Sequence, residues 1–303
     1  MYYLINAIVW VLSKIPMKGL YVLSDFIFLL VFYITKYRRR VVADNLRGSF
    51  PEKDEEYIKK IEREFYHFFS DYIVETIKMR SISEQEIRQR MEFVGIEKLM
   101  CDMKQNNKMF AFIYLAHYGN WEWVASMNLH IQDIDKKITG AQIYHPLRNK
   151  AFNRLFLKMR GQFGGKNIPM KETLRYIINA RKNNQPTIIG FIADQTPKWN
   201  SIHHWTNFLH RKTPVFIGTE QLGKRVDALI YYAHMVRIKR GYYRCYLSKI
   251  TDNVNSFANY DITDKYFELL EESIQAHPAF WLWTHKRWKR TYEEFLKREA
   301  NKQ

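Results

Sequence analysis

The sequence predicts an α/β fold with a largely parallel central sheet flanked by helices, preceded by an N-terminal apolar helical segment. The main observation is that short, apolar, β-rich runs alternate along the chain with segments of helical periodicity. In addition, the first forty residues differ sharply in composition from the rest. The 303 residues can bury one sizeable core, and no repeat or Pro/Gly/Ser-rich linker divides them. We therefore expect a membrane-associated helical anchor at residues 1–40 and one domain at 41–303.

The N-terminal segment is almost entirely apolar and aromatic up to residue 36. Residues 19–35 form its cleanest run, barely long enough to cross a bilayer, which takes about 20 residues. Asp25 within it would cost about 2.5 to 3.5 kcal/mol near the midplane. The run could therefore span or, as slightly favoured, lie in the interface; two ordinary packed helices are the alternative. The arginines at 38–40 favour a cytoplasmic domain, and no cleavage site indicates a removable signal peptide.

The elements of the domain follow from hydrophobic periodicity and β propensity. Five runs are predicted to be strands: 109–116, 138–144, 187–193, 228–238 and 242–250. Six segments are predicted to be helices: 54–80, 121–131, 149–162, 171–183, 213–225 and 263–277. The polar stretch 198–213 is predicted to be a loop over one end of the sheet.

Composition limits the partners of this protein. Lys and Arg number 48 against 31 Asp and Glu, a net charge of +17, which favours nucleic acid, anionic headgroups or an acidic carrier protein. An aromatic content of 16% suits a lipid boundary. The two cysteines, Cys101 and Cys245, have no metal-binding or disulfide pattern, and we expect neither a metal nor a cofactor.

The most informative stretch is 109–124, where an apolar strand runs into His117, a turn at Gly119 and Asn120, and then Glu122. On one continuous helix His117 and Glu122 would face about 140° apart, so the spacing requires a strand-to-helix turn. Asn120 is a good N-cap, which would place Glu122 in the first helical turn, and Asn120 is also a candidate for binding the substrate or the oxyanion. We expect His117 to act as a general base on a hydroxyl, worth about 10²- to 10⁴-fold, with Glu122 fixing its tautomer. The alternative is a structural histidine beside a surface glutamate.

Further candidates come from three other segments. Asp194 and Gln195 follow the strand 187–193 and reach the same sheet edge, where they would bind substrate or cap a turn. Arg160 ends a basic helical segment and would stabilise an oxyanion, or belong to a solvated face. Arg287 lies in a Trp-rich, basic stretch, where it would bind phosphate in a headgroup or a nucleic acid.

Several ordered blocks together resemble the lipid A biosynthesis (late) acyltransferases, within the wider glycerolipid acyltransferase group. The resemblance covers nearly the whole chain and is carried by these blocks: the apolar N-terminus, VVADNLRGSFPE, HYGNWE, YHPLRN to MRGQFG, ADQ and FWLWTHKRWK. One departure is the sequence Phe208, Leu209, His210, where relatives commonly show Phe-Phe-Gly. It bears on the acyl pocket and on the identity of the acceptor.

The resemblance implies an O-acyltransferase that moves a fatty acyl group from an acyl carrier protein thioester to a hydroxyl of a lipid A precursor or related lipid. It places the enzyme at a bacterial inner membrane with its catalytic domain facing the cytoplasm. His117 and Glu122 carry over as the catalytic pair, and Arg160 and Asp194 match less strictly placed positions. Three alternatives stay open: another glycolipid or aminolipid acceptor, a lipid hydrolase or thioesterase, and a membrane-tethered polyanion-binding module. No nucleic-acid-binding fold is recognisable, so nucleic acid is not expected as a partner.

Overall fold

A seven-stranded sheet forms the centre of the computed structural model, which describes residues 2–301. The spatial order is β1-β9-β8-β2-β5-β3-β4, and every neighbouring pair is parallel except β8 and β9. A separate antiparallel hairpin joins β6 and β7. The strands are β1 (Met91–Val94), β2 (Phe110–Leu115), β3 (Thr139–Tyr144), β4 (Lys166–Pro169), β5 (Thr187–Ile192), β6 (Trp205–Phe208), β7 (Arg211–Pro214), β8 (Leu229–Lys239) and β9 (Tyr242–Thr251).

Helices cover the sheet and precede it. They are α1 (Tyr2–Ser13), α2 (Met17–Leu29), α3 (Arg39–Ser49), α4 (Glu55–Lys78), α5 (Glu84–Arg90), α6 (Ile96–Gln105), α7 (Met127–Ile134), α8 (Lys150–Gly161), α9 (Thr173–Lys182), α10 (Gly218–Val226), α11 (Asp261–Ala276) and α12 (Tyr292–Ala300). The predicted α/β fold with a mostly parallel sheet is confirmed, and all five predicted strands form.

The segment 198–225 departs from the prediction. Its first part holds the hairpin of β6 and β7 rather than only a loop, and the predicted helix begins at Gly218 instead of residue 213. The hairpin turn consists of Leu209 and His210, whose φ angles are 49° and 62°. Hairpin turns with two left-handed residues usually contain Asn or Gly at these positions. Leu and His stand there instead, so the local sequence did not indicate a turn. The predicted helix 121–131 also starts late, as a 3₁₀ turn (Trp123–Ser126) that leads into α7.

The N-terminal helices lie against α4. On α2, Ser24 donates a hydrogen bond to Asp71 at 2.7 Å, and Asp25 pairs with Arg240 at 2.6 Å. The side of α2 and of the following π-helical turn (Leu30–Ile34) that faces away from α4 is largely apolar and exposed; its residues include Val22, Phe26, Leu29, Leu30 and Tyr33. Within the described residues, one helical stretch, Met17–Ile34, is long and apolar enough to cross a membrane.

The centre of the sheet positions the site. All six residues of β2 are buried, because the strand lies between β8 and β5 and is covered on both faces. A continuous apolar run is typical of such a strand. Ligands of open α/β sheets bind at the carboxyl ends of the strands, and here β2 and β5 end side by side.

Candidate active site

His117 and Asp194 meet because of strand register. β2 and β5 pair in parallel with Leu115 opposite Ile192, and each polar residue follows its strand end by two positions. The chain therefore delivers an imidazole and a carboxylate to the same point of the sheet edge. Nδ1 of His117 lies 2.7 Å from Oδ1 of Asp194.

Asp194 is held as an ionised acceptor. Its other oxygen, Oδ2, accepts the His117 backbone N–H at 3.0 Å and Nε1–H of Trp281 at 2.8 Å. Burial acts to raise the pKa of Asp194, but the charge of His117 and the hydrogen bonds from His117 and Trp281 outweigh it and lower that pKa. A carboxylate can only accept, so Nδ1 of His117 carries the proton.

In the neutral ring that carries its proton on Nδ1, the second imidazole nitrogen is the acceptor. Nε2 of His117 lies 3.2 Å from Nε2 of Gln195, and in this tautomer the amide N–H donates to the ring nitrogen. The His117 side chain is 21% exposed, whereas that of Asp194 is 2% exposed. The imidazole is therefore accessible from outside the protein, whereas its carboxylate partner is not.

Glu122 does not hold His117, contrary to the expectation from the sequence. Its two oxygens accept Nε–H and Nη2–H of Arg160 at 2.7 and 2.6 Å, a bidentate pair with the Glu122 side chain only 3% exposed. The reason is that the chain after His117 makes a tight turn into a 3₁₀ segment, and this directs the carboxylate towards α8. Glu122 thus fixes the orientation of the Arg160 guanidinium.

The predicted turn at Gly119 and Asn120 forms, and it needs both residues. Gly119 has a φ of 60°, and a Cβ there would lie 2.5 Å from Sδ of Met235. Asn120 accepts the Trp123 N–H at 3.2 Å and donates to Oε2 of Glu75 at 2.7 Å. Because Asn120 is fully buried, the expectation that it contacts substrate is wrong; it supports the turn that carries His117.

Arg287 was also expected to bind substrate, and the structure contradicts this. The guanidinium is fully buried, donates to the Pro214 carbonyl at 2.8 Å and to Thr196 Oγ1 at 3.3 Å, and has its pKa lowered to about 10 by burial. It ties the C-terminal segment to the β5 loop rather than meeting an external phosphate.

A cavity of about 990 Å³ opens at this sheet edge and is lined by His117, Glu122, Arg160 and Gln195 among others. It continues along one sheet face under α7. We call this part the apolar branch; its residues are Ile113, Met127, Ile131, Ile188 and Gly190. The absence of a side chain at Gly190 widens it, since a Cβ there would lie 2.8 Å from Cδ1 of Leu115.

Two residues of the site escaped the sequence analysis. Trp281 donates a hydrogen bond to Asp194. The Trp-rich C-terminal stretch was noticeable in the sequence, but nothing in it indicated which tryptophan would contact the site. Glu75 binds Asn120 through its carboxylate and accepts Nε1–H of Trp123 at its backbone carbonyl, at 3.2 Å. Glu75 looked like one more polar position on an amphipathic helix, and no local pattern marks it.

Comparison with known proteins identifies the class. The family model described as bacterial lipid A biosynthesis acyltransferase matches residues 1–290. The chain therefore belongs to the lipid A biosynthesis acyltransferases and is an acyltransferase enzyme, which confirms the resemblance in the sequence. No curated protein matches the chain well enough to serve as a named relative.

Proposed function

We propose that this enzyme transfers a fatty acyl group from an acyl carrier protein thioester to a hydroxyl of a lipid A precursor or related membrane lipid. The observation that carries the proposal is the His117–Asp194 pair, in which the imidazole lines a large cavity that has an apolar branch. An aliphatic hydroxyl is a poor nucleophile until a positioned base removes its proton.

In the proposed reaction the acceptor hydroxyl replaces the Gln195 amide at Nε2 of His117. The hydroxyl oxygen attacks the thioester carbonyl while its proton moves to Nε2, and Asp194 stabilises the resulting imidazolium. The C–S bond then breaks as the C–O bond is retained, and the proton passes from His117 to the departing thiolate sulfur. Ester and free thiol are the products.

Arg160 supplies the charge for the oxyanion in this proposal. Glu122 occupies its Nε and Nη2, so Nη1 is left without a protein hydrogen-bond partner in the part of the chain described. A preorganised donor at a developing oxyanion contributes about 10²- to 10³-fold. The function of Glu122 would therefore be to orient Arg160 rather than His117.

The apolar branch is proposed to hold the acyl chain. Its aliphatic side chains are buried, with Ile113 and Ile131 each 1% exposed, and burial of each methylene contributes about 0.8 kcal/mol. A fatty acyl chain fits this lining, whereas a polar substrate would lose hydration without gaining partners. The acidic carrier would be attracted by the net charge of +17.

We further propose that α1 and α2 lie in the plane of the inner membrane on its cytoplasmic side. Asp25, near the middle of the apolar stretch, pairs with Arg240 of the β8–β9 turn. If α2 spanned the bilayer in this position, Arg240 and the charged face of α4 would enter the hydrocarbon with it, at a cost of several kcal/mol. The exposed apolar face of α2 fits an interfacial helix instead.

The test uses membranes that contain the protein, an acyl carrier protein loaded with a labelled acyl chain, and a lipid A precursor. We expect labelled acceptor lipid to form and His117→Ala to remove nearly all of this activity. His204→Ala is the matched control, because His204 pairs with Asp264 at 2.8 Å away from the cavity. Full activity in His117→Ala would exclude the base, and labelled free fatty acid without acylated lipid would indicate a thioesterase.

A further inference from the structure

Glu75 of α4 is a buried carboxyl group that connects the apolar helix α2 to the active site. Its side chain is fully buried, and Oε1 accepts a hydrogen bond from the Tyr21 hydroxyl of α2 at 2.9 Å. Oε2 accepts Nδ2–H of Asn120 at 2.7 Å and the Tyr243 hydroxyl at 2.8 Å. A buried carboxyl group loses its hydration, so its place in the core depends on these three donors.

The Tyr21 end of this connection is held by the β8–β9 turn. The guanidinium of Arg240 lies 4.5 Å from the centroid of the Tyr21 ring and donates to the Tyr21 carbonyl at 3.3 Å. Gly241 in the same turn has a φ of 74°, and a Cβ there would collide with the Tyr21 hydroxyl. The hydroxyl therefore occupies a place that is open only because Gly241 has no side chain.

The other end of the connection reaches the turn that carries His117. Oδ1 of Asn120 accepts the Trp123 N–H at 3.2 Å, and Nε1–H of Trp123 donates to the Glu75 backbone carbonyl at 3.2 Å. Glu75 thus binds this turn through both its side chain and its main chain. Asn120 can donate to Glu75 and accept from Trp123 in only one orientation of its amide, because the amide oxygen and the NH₂ group have different roles.

A ring contact from the same helix supports the residue after Asn120. Tyr72, three residues before Glu75 and therefore on the same face of α4, stacks on Trp121 with ring centroids 4.1 Å apart. The Trp121 ring meets the imidazole of His117 edge to face at 5.2 Å, and Trp121 lines the cavity. A shift of Asn120 would therefore also move the aromatic wall against which the imidazole lies.

We propose that Glu75 is a positioning residue for the acyl transfer: it fixes the turn that places His117, and Tyr21 of α2 holds its carboxyl group in the required orientation. The inference rests on the proposed function, in which His117 is the base. Neither Glu75 nor Tyr21 lines the cavity, so both act on the reaction through Asn120 and not by contact with substrate. The docking of α2 on α4 then sets the geometry of the base, in addition to the role of α2 at the membrane.

The effect of losing Glu75 should fall on kcat rather than on KM. Glu75→Leu removes all three acceptor contacts, and misplacement of a reacting group by about 1 Å costs about 10²-fold in rate. We expect kcat to fall by that factor, with little change in KM for either substrate because the cavity lining is intact.

Glu75→Gln should keep nearly the full kcat, because an amide can satisfy the same partners. Its oxygen can replace Oε2 and accept from Asn120 and Tyr243. Its NH₂ group can donate to the Tyr21 hydroxyl, which is able to accept as well as donate. The two substitutions at position 75 therefore separate the hydrogen bonds from the negative charge.

Tyr21→Phe tests the α2 end alone, and we expect kcat to fall about 2- to 10-fold, the size of one net hydrogen bond. The matched control is Tyr231→Phe, which removes a tyrosine hydroxyl from another buried carboxylate, Asp102, at 2.7 Å and outside the cavity. Asp102→Leu is the corresponding control for Glu75→Leu. Both controls should lower thermal stability and leave the kcat of the folded enzyme unchanged.

The assay uses the full-length enzyme in membranes and has two readouts. Acyl transfer gives kcat and KM. The rate at which diethyl pyrocarbonate modifies His117, read by peptide mass spectrometry, reports the setting of the imidazole without any substrate. His204 is the internal reference, because its side chain is 20% exposed against 21% for His117. The ratio of the two modification rates should change in Glu75→Leu and Tyr21→Phe and stay at the wild-type value in Glu75→Gln.

Three results would overturn the inference. Wild-type kcat in Tyr21→Phe would show that α2 does not act on the base. A kcat in Glu75→Gln as low as in Glu75→Leu would mean that the charge matters and not the positioning. An equal fall of kcat in Asp102→Leu would indicate a general loss of rigidity.

The inference stays testable if one variant or the proposed function fails. If Glu75→Leu does not fold, the comparison of Tyr21→Phe with Tyr231→Phe decides. If His117→Ala keeps full activity, the proposed function is wrong, and the modification ratio decides separately whether Glu75 positions the imidazole. An unchanged ratio in both Glu75→Leu and Tyr21→Phe would then refute the positioning role.

Discussion

The sharpest prediction concerns Asp194→Asn, which keeps the shape of the side chain and changes the proton on His117. The carboxylate accepts three hydrogen bonds, from Nδ1 and the backbone N–H of His117 and from Trp281. An asparagine has one oxygen and one NH₂ group. If the oxygen keeps the two donors that Oδ2 had, the NH₂ group faces Nδ1, and this nitrogen must then lose its proton.

The proton would move to Nε2, the atom that has to accept the hydroxyl proton. Exchange of the orienting aspartate for asparagine in an acyl-transfer triad lowers kcat by about 10⁴-fold for this reason, and we expect a loss of that order here. KM should change little, because Asp194 is 2% exposed and does not line the cavity. The folded state should lose about 1 to 3 kcal/mol from the weakened hydrogen bonds.

The assay is transfer of labelled acyl chains to acceptor lipid at saturating substrate, with thermal unfolding measured on the same preparation. Asp264→Asn serves as the control, since it alters a His–Asp pair of nearly equal length, 2.8 Å to His204, outside the cavity. Activity within about tenfold of wild type in folded Asp194→Asn, well short of the 10⁴-fold loss expected for a misplaced proton, would refute the assignment of Nε2 as the base.

Three further predictions follow from the site and its supports. Arg160→Ala should lower kcat by about 10²- to 10³-fold. Arg160→Lys should recover little of this activity, because a lysine cannot pair with both oxygens of Glu122. An unchanged kcat in Arg160→Ala would show that Arg160 does not take part in the reaction. Gly190→Val should shift the preferred acyl donor to shorter acyl chains, with kcat/KM falling about fourfold for each methylene that no longer fits. The measurement is kcat/KM over a series of acyl carrier protein thioesters of different chain length. The same chain-length preference as in the wild type would show that the acyl chain binds elsewhere. Burial and the nearby Asp71 raise the pKa of Glu75 from 4.5 to about 7. The protonated Glu75 therefore stabilises the folded state fully below pH 4.5, and this stabilisation is lost as the pH rises towards 7. The free energy of unfolding should fall by up to about 3 kcal/mol over that range. Glu75→Gln should therefore unfold with a smaller loss of stability between pH 5 and pH 8 than wild type, and identical pH dependence in thermal melts would contradict the raised pKa.

Sequence patterns predicted the strands that are long apolar runs. They missed the short strands that form only because a neighbouring strand pairs with them. β2, β5 and β8 are predictable because buried central strands are continuous apolar runs. β1 and β4 have four residues each and lie at the two edges of the sheet. Such short segments become strands only by pairing with β9 and β3, and β4 even ends in a proline, which edge strands tolerate.

The carboxylate partner of His117 was likewise only partly predictable from local sequence. The sequences YLAH and FIAD each place a polar residue two positions after an apolar strand, and this equal offset was the available signal. It becomes decisive only when β2 and β5 are known to be neighbours in register. The sequence distance from His117 to Glu122 is short, but local geometry turns Glu122 away, towards an arginine 38 positions further along the chain.

The sequence by itself determined the class of fold, the apolar N-terminus, the family and the two sheet-edge segments that hold His117 and Asp194, because these depend on composition, periodicity and ordered blocks. Only the tertiary structure decided which carboxylate serves the imidazole, that Asn120 and Arg287 are buried supports, and that Arg38 contacts the C-terminal segment at Thr284. The physical reason is that strand order, register and the docking of α2 on α4 bring together residues more than 70 positions apart, and no local pattern encodes which of them will touch.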